Sequence, residues 1–264
     1  MCPSLCVPER KPRAEAAPPL TPPSPHLFSP HPPQIGGGIR GYTDSKGCAY
    51  TPLDVAARYF RSGADKVSIG SDAVTAAEAY YARGCALDGG SAIEAIAAVY
   101  GRQAVVVSVD PRRVWRRDAA EAAAAAAAGH VVLAPRDARG PGGETQCWYQ
   151  CTIKGGREGR PLCAVRLARA VEALGAGELL VNCVDADGQK AGFDAVLLGA
   201  VCGAVAIPVI ASSGAGCPEH FSRVFADTRV EAALAAGIFH RREVAIADVK
   251  RHLVGAGVET RVVE

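Results

Sequence analysis

Short apolar runs alternate with helical stretches along the chain from residue 34 onward. Continuous apolar runs indicate strands of a parallel sheet covered on both faces, and their alternation with helices indicates an α/β fold. The predicted strands cover residues 34–35, 66–69, 104–109, 178–184, 207–211 and 232–238. The predicted helices include residues 51–62, 91–100, 161–174 and 218–225.

Two segments depart from this alternation. Residues 1–34 contain eleven of the 18 prolines, and because proline lacks an N–H donor and fixes φ, we expect this segment to be disordered. It lacks the apolar centre of a secretory signal, and an organelle transit peptide remains open. Residues 115–147 contain an alanine run and a Gly/Pro-rich stretch, which predicts a partly flexible insertion in the domain formed by residues 35–264.

Composition excludes several classes of protein. Lys and Arg total 29 against 27 Asp and Glu, so no basic field for nucleic acid is expected. No run approaches the ~18 apolar residues of a membrane span. The ten cysteines form no C-x-x-C pair and the histidines show no metal-ligand spacing. We therefore expect reduced thiols in a reducing compartment, and neither a metal nor another cofactor.

Glycine-rich loops follow most of the predicted strands. In a (β/α)₈ barrel such loops share the carboxyl-terminal face, where backbone N–H groups and helix N-termini can hold anions. The strings PQIGGGIRG and IPVIASSGAG resemble each other, which suggests two phosphate sites. The alternative is that these glycines only end strands. The loops are Gly36–Gly38, Gly70–Ser71, Asp187–Gly188, Ser212–Gly214 and Ala236–Gly237.

Two groups of charged residues flank the predicted strands. Asp110 ends an apolar strand, where partial burial should raise its pKa and suit it to general acid/base catalysis. Capping of the turn at Pro111 is the alternative role. Asp65 and Lys66 begin a strand and so belong to the opposite end of the sheet, where they would line a channel mouth or form an ordinary surface ion pair.

Seven strings together resemble a known enzyme family between about residues 34 and 262. They are GGGIRGYTD, YFRSGADKVSIGSDAV, QAVVVSVDPRRV, CWYQCTIKGGREGRP, ELLVNCVDADGQKAGFD, IPVIASSGAG and AALAAGIFHRREV. The chain resembles the cyclase part of imidazole glycerol phosphate synthase, in the fused glutaminase–cyclase form of plants, algae and fungi.

The resemblance implies a (β/α)₈ TIM-type barrel and a lyase of histidine biosynthesis. It implies a small substrate with two phosphates, phosphoribulosyl-formimino-aminoimidazole-carboxamide ribonucleotide. Ammonia from a glutaminase domain or subunit would convert it into imidazole glycerol phosphate and aminoimidazole carboxamide ribotide. No metal or redox cofactor, nucleic acid or membrane is implied, and the compartment would be plastid or cytoplasm.

The resemblance also implies roles for individual residues. Asp110 matches one of the family's two catalytic aspartates. One phosphate site would use Gly38, Gly70 and Ser71, and the other would use Gly188, Gly214 and Gly237. The ammonia route and glutaminase interface would involve Asp65, Lys66 and Glu178.

The chain departs from the family in two respects. The C-x-D-V-like string that carries the family's first catalytic aspartate does not occur, and about six strands are recognisable where eight are needed. We therefore expect an N-terminally truncated, incomplete barrel without its first two strands, and impaired activity of the chain alone. The alternatives are a fragment that only binds phosphates or a partner, and a related phosphosugar isomerase.

Overall fold

A computed structural model describes residues 34–36 and 39–261. The disorder expected before residue 34 and the predicted site residue Gly38 lie outside the described residues. The strands are β1 (Gln34–Gly36), β2 (Tyr42–Thr43), β3 (Ala49–Tyr50), β4 (Lys66–Ile69), β5 (Val105–Val109), β6 (Pro111–Arg116), β7 (Val132–Leu133), β8 (Gln146–Ile153), β9 (Glu158–Cys163), β10 (Glu178–Asn182), β11 (Val209–Ser212) and β12 (Ala232–Ala233). The α-helices are α1 (Pro52–Arg61), α2 (Ser71–Ala82), α3 (Ala92–Tyr100), α4 (Ala119–Ala127), α5 (Ala164–Leu174), α6 (Ala195–Cys202), α7 (Pro218–Asp227), α8 (Gly237–His240) and α9 (Ile246–Gly255).

Six strands form one parallel sheet in the order β1-β4-β5-β10-β11-β12. This order follows the chain without reversal, so right-handed connections place the connecting helices on one face of the sheet. A doubly wound sheet would reverse its strand order and carry helices on both faces. The order confirms the predicted barrel-type α/β sheet of about six strands, and within the described residues β1 and β12 do not pair to close it.

The two faces of the sheet differ in chemistry. The helix-covered face is apolar and at most 2% exposed at Val67, Ile69, Val105, Val107, Val109, Leu179, Val181, Val209 and Ala211. Successive side chains of a strand point to opposite faces, and the alternate positions carry the polar residues Ser68, Ser108, Asn182 and Ser212. This second face, here called the polar face, also carries the apolar residues Val106, Leu180 and Ile210, and Val106 is fully buried. The interpretation of apolar strands covered on both faces therefore holds for the helix-covered face and only in part for the polar face.

A second sheet is antiparallel and spans the region predicted as an insertion. Strand β8 pairs with β6, β7 and β9. This sheet is wider than residues 115–147, since β6 begins directly after Asp110 and β9 ends directly before α5. Pairing between β6 and β8 brings Trp115 opposite Cys147, so both ends of the predicted segment lie inside strands.

Two predicted elements have different bounds in the structure. The helix predicted from residue 161 begins at Ala164, because the preceding residues form β9. Pro161 lies where the β8–β9 register shifts, and an irregularity of this kind tolerates a residue without an N–H. The strand predicted over residues 232–238 ends at Ala233, and Gly237 begins α8.

The described segments contain no helix that is long and apolar enough to cross a membrane. Every cysteine in these segments is a free thiol, and the buried ones are Cys147, Cys151, Cys163, Cys183 and Cys202.

A buried ion pair joins the antiparallel sheet to α6. The Arg113 guanidinium of β6 donates to Asp194 Oδ2 from Nε at 3.0 Å and from Nη2 at 2.5 Å. The two side chains are only 14% and 3% exposed. Tyr149 of β8 donates its hydroxyl to the same oxygen at 2.7 Å, and Asp194 Oδ1 accepts from the N–H of Leu197 as the cap of α6. Burial of the guanidinium acts to lower the pKa of Arg113, but the Asp194 carboxylate raises it by more, so the guanidinium remains charged.

Replacing Asp194 with Asn should destabilise the fold by about 3–5 kcal/mol, because the variant leaves the buried Arg113 charge without a counter-charge. Urea unfolding measures this change in the free energy of unfolding. The matched control is Asp137→Asn, which breaks an exposed pair with Arg223 and should have little effect. Equal effects of the two substitutions would contradict the structural role of the buried pair.

Candidate active site

Asp110 is the first residue after β5, at the carboxyl end of the parallel sheet. Burial raises the pKa of its carboxyl group, and the nearby Asp187 acts in the same direction. The side chains of Asn182 and Ser108 hydrogen-bond the carboxylate and oppose this rise. The net shift is upward, so the group holds its proton to a higher pH than an ordinary aspartate and is suited to exchanging protons.

The main chain at Asp110 forms the corner between the two sheets. Its carbonyl oxygen accepts from the Thr152 hydroxyl at 2.6 Å and from the Thr152 N–H at 3.2 Å. The carboxylate instead accepts from the Ser108 hydroxyl at 3.5 Å on the polar face of the parallel sheet. The carbonyl of Asp110 therefore holds the corner at Pro111. The Asp110 carboxylate does not take part in these bonds and lies on the polar face. Its catalytic role stays a prediction.

Gly70 and Ser71 lie where β4 meets α2, next to β5. Gly70 is the N-cap of α2 and offers no side chain to cap the first N–H groups of the helix. Those groups are therefore available to an anion. The Ser71 hydroxyl accepts from the Lys154 N–H at 3.0 Å, which ties this loop to the turn between β8 and β9.

Gly188, Gly214 and Gly237 follow β10, β11 and β12. Gly214 has φ +92°, and a Cβ there would lie 2.1 Å from the carbonyl oxygen of Gly192, so only glycine fits. Its own carbonyl accepts from the Gly192 N–H at 2.8 Å, which joins the loops after β10 and β11. Gly188 is exposed in the loop after β10 and has φ +74°. Gly237 is the first residue of α8.

The strand order sets the arrangement of these groups. Gly70 follows β4, Asp110 follows β5, and Gly188 follows β10, which are neighbours in that order. The carboxyl ends of parallel strands meet at one edge of a sheet, so Asp110 lies between the two sets of glycine loops. The edge therefore presents two sets of glycine loops with a carboxylic acid of raised pKa between them. The binding of phosphates by these loops stays a prediction.

Lys66 and Glu178 lie at the amino end of the same sheet. Lys66 Nζ and Glu178 Oε2 are 2.7 Å apart, with side chains 29% and 15% exposed. The alternative of a surface pair between Asp65 and Lys66 is wrong, because Lys66 bonds to a carboxylate two strands away on β10. Asp65 is exposed beside this pair.

Sequence reasoning missed the polar neighbours of Asp110. Ser212 donates its hydroxyl to Asn182 Oδ1 at 3.3 Å, and Asn182 in turn contacts the Asp110 carboxylate. The sequence contained a signal that could have identified Ser108, since it lies two positions before Asp110 and so shares its face. Asn182 and Ser212 are likewise polar residues at the ends of otherwise apolar strands.

Comparison with known proteins gives consistent matches. A family profile described as "Histidine biosynthesis protein" matches residues 29–245. Imidazole glycerol phosphate synthase hisHF, chloroplastic, of Arabidopsis thaliana is 55% identical over 228 residues, which cover 86% of this chain and 37% of that protein. The hisHF protein of Schizosaccharomyces pombe is 55% identical over 219 residues, covering 83% of this chain and 39% of that protein.

A shorter relative is covered over more of its length. Imidazole glycerol phosphate synthase subunit HisF of Haloarcula marismortui is 40% identical over 227 residues, covering 86% of this chain and 69% of the subunit. The chain thus spans less than two fifths of the two hisHF relatives and about two thirds of the HisF subunit.

The pKa of Asp110 should respond in opposite directions to two substitutions. Asn182→Ala should raise it further, because the carboxylate loses a hydrogen bond that favours its charged form. Asp187→Asn should lower it, because a neighbouring negative charge is removed. NMR titration of the Asp110 carboxyl carbon measures both shifts. Movement in the same direction in both variants would contradict the described environment.

Proposed function

The chain belongs to the histidine biosynthesis protein family, and we propose that it is the cyclase of an imidazole glycerol phosphate synthase. In the proposed reaction, ammonia converts phosphoribulosyl-formimino-aminoimidazole-carboxamide ribonucleotide into imidazole glycerol phosphate and aminoimidazole carboxamide ribotide, and one water is released. The curated relatives carry the name of this enzyme, which supports the reaction class.

The observation that carries the proposal is the position of Asp110 between two sets of glycine loops. A substrate with a phosphate at each end needs two anion sites with the reacting atoms between them. The loop at Gly70 and Ser71 would hold one phosphate, and the loops at Gly188, Gly214 and Gly237 would hold the other. Backbone N–H groups suit this task because they approach an anion without a side chain in between.

Asp110 would act as general acid and base. Neutral ammonia must lose protons when its nitrogen enters an imidazole ring, and the group expelled must be protonated. A carboxyl group whose pKa is raised by burial is better suited to both transfers than an ordinary aspartate. Asn182 and Ser108 would keep the carboxylate oriented toward the substrate through the hydrogen bonds described above.

Ammonia would arrive from the opposite end of the sheet. Lys66 and Glu178 lie there as a half-buried ion pair on the polar face, and Asp65 is exposed next to them. Between this pair and Asp110, the same face carries the polar residues Ser68 and Ser108 beside the apolar Val106 and Leu180. We propose that a glutaminase domain or subunit docks at the amino end and delivers ammonia past this pair, in a plastid or the cytoplasm.

The test uses the purified chain with the bis-phosphorylated substrate and ammonium, following the loss of substrate absorbance. Asp110→Asn should lower turnover by about 10²–10⁴-fold, because the reaction loses a proton-transfer group. The substrate should still protect this variant against heat, since its phosphates bind elsewhere. Asp248→Asn on the exposed face of α9 is the matched control and should leave turnover unchanged.

The outcomes separate the rival functions. Unchanged turnover in Asp110→Asn would overturn the assignment of the catalytic residue. Substrate protection without turnover in the parent chain would favour a fragment that only binds. Turnover without any requirement for ammonia would favour a phosphosugar isomerase.

Lys66→Met should separate ammonia delivery from chemistry. With a glutaminase partner and glutamine as the nitrogen source, turnover should fall, because the charged pair at the route is broken. With ammonium added from solution, the loss should be smaller than that in Asp110→Asn, since Lys66 is remote from the reacting atoms. Lys46→Met, on an exposed turn, is the control. Equal losses with both nitrogen sources would contradict a role in delivery.

A further inference from the structure

Three buried side-chain nitrogens in the described part of the chain have no hydrogen-bond partner. They are Arg116 Nε, His130 Nδ1 and Trp148 Nε1. The three side chains lie together, since the His130 and Trp148 rings stack with centroids 3.8 Å apart and 7° between planes. The Arg116 guanidinium carbon is 5.9 Å from the centroid of the Trp148 ring. Arg116 Nε and Trp148 Nε1 are donors, and an imidazole nitrogen is a donor when it carries the proton. Buried donors without a partner are costly, so their grouping indicates a missing acceptor.

Local structure holds these groups together. Arg116 and Trp148 project from the same face of the paired strands β6 and β8. His130 follows α4 after Gly129, whose φ of +84° turns the chain, and the His130 N–H bonds back to the Ala125 carbonyl at 3.0 Å. Trp148 is only 5% exposed. The position of the three side chains is therefore fixed by the pairing of β6 with β8 and by the turn that follows α4.

A second arginine adds positive charge. Arg166 Nη1 would lie 3.0 Å from a Cβ placed on Gly129, so its guanidinium borders His130. Its guanidinium also lies over the Tyr81 ring, 4.2 Å from the centroid. Among the described residues, no carboxylate lies within salt-bridge distance of Arg116 or Arg166.

The electrostatic balance of the cluster is positive. Burial lowers the pKa of His130, and the charges of Arg166 and Arg116 lower it further, which favours the neutral ring beside two cations. The carboxylate of Glu121, on α4, is engaged by Arg117, which donates to it from Nε at 2.6 Å and from the main chain at 3.0 Å. The charge of Arg116 also contributes to lowering the pKa of Glu121, although the two side chains form no ion pair. Neither Arg116 nor Arg166 therefore has a counter-charge in direct contact.

We propose that Arg116, His130, Trp148 and Arg166, here called the His130 cluster, bind a small oxyanion of the phosphate class. Guanidinium groups bind phosphate through charge-assisted, paired hydrogen bonds. The indole N–H and an imidazole N–H would supply further donors to a tetrahedral anion with several acceptor oxygens. Small side-chain rotations would bring the buried nitrogens to the anion, because Arg116 and His130 are only half-buried.

This site is separate from the proposed catalytic edge. Asp110 and Arg116 are six residues apart along β6, a distance of about 20 Å in an extended strand. No glycine loop of the two proposed phosphate sites belongs to the cluster. The proposal therefore stands or falls independently of the proposed function.

The test monitors Trp148 directly. The chain has two tryptophans, so Trp115→Phe leaves Trp148 as the single indole fluorophore. Titration with inorganic phosphate at constant ionic strength should give a saturable change in its fluorescence. Arg116→Gln and Arg166→Gln should each weaken phosphate binding about tenfold, since each removes a charge-assisted contact. Circular dichroism confirms that each variant is folded.

Two controls give the test its specificity. Arg61→Gln, at an exposed position of α1, changes the net charge equally but away from the His130 cluster, so it should leave phosphate affinity unchanged. The NMR-measured pKa of His130 should rise when phosphate is added, because the anion favours the charged ring. The absence of a saturable response, an equal loss in Arg61→Gln, or acetate binding as tightly as phosphate would overturn the proposal.

Discussion

The buried ion pair between Arg113 and Asp194 is the contact on which the arrangement of the two sheets depends. Asp194 caps α6, accepts from Tyr149 of β8 and neutralises Arg113 of β6, so one carboxylate links three elements. The main-chain N–H of Arg113 also donates to Asp185 Oδ2 at 2.7 Å in the loop after β10. Since a desolvated charge cannot be left alone, these elements must assemble together.

The polarity of the parallel sheet separates the proposed chemistry from the proposed supply of ammonia. All six strands run in one direction, so every loop that can hold an anion lies at one edge and the Lys66–Glu178 pair lies at the other. An antiparallel sheet of the same composition would mix both kinds of group at each edge. The parallel arrangement therefore keeps the glycine loops and the Lys66–Glu178 pair at opposite edges.

Local patterns were sufficient to predict the parallel strands and the glycine loops. Each strand is a short apolar run, and each loop has residues that permit close backbone approach to an anion. The antiparallel sheet was not predicted, because its strands pair across long separations, as between Trp115 and Cys147. Pro161 favoured a helix start by its local preference, whereas the register shift opposite β8 accommodates it within β9. In both cases a partner distant in sequence overrides the local signal.

The sequence by itself determined the α/β class, the six parallel strands and the position of Asp110 at the end of one of them, because backbone sterics and apolar periodicity act over a few residues. Only the tertiary structure decided which groups meet. It paired Lys66 with Glu178 and placed Asn182 beside Asp110. It also stacked His130 on Trp148. Such contacts depend on strand order and on the burial of charge, which are properties of the assembled sheets and cannot be read from neighbouring residues.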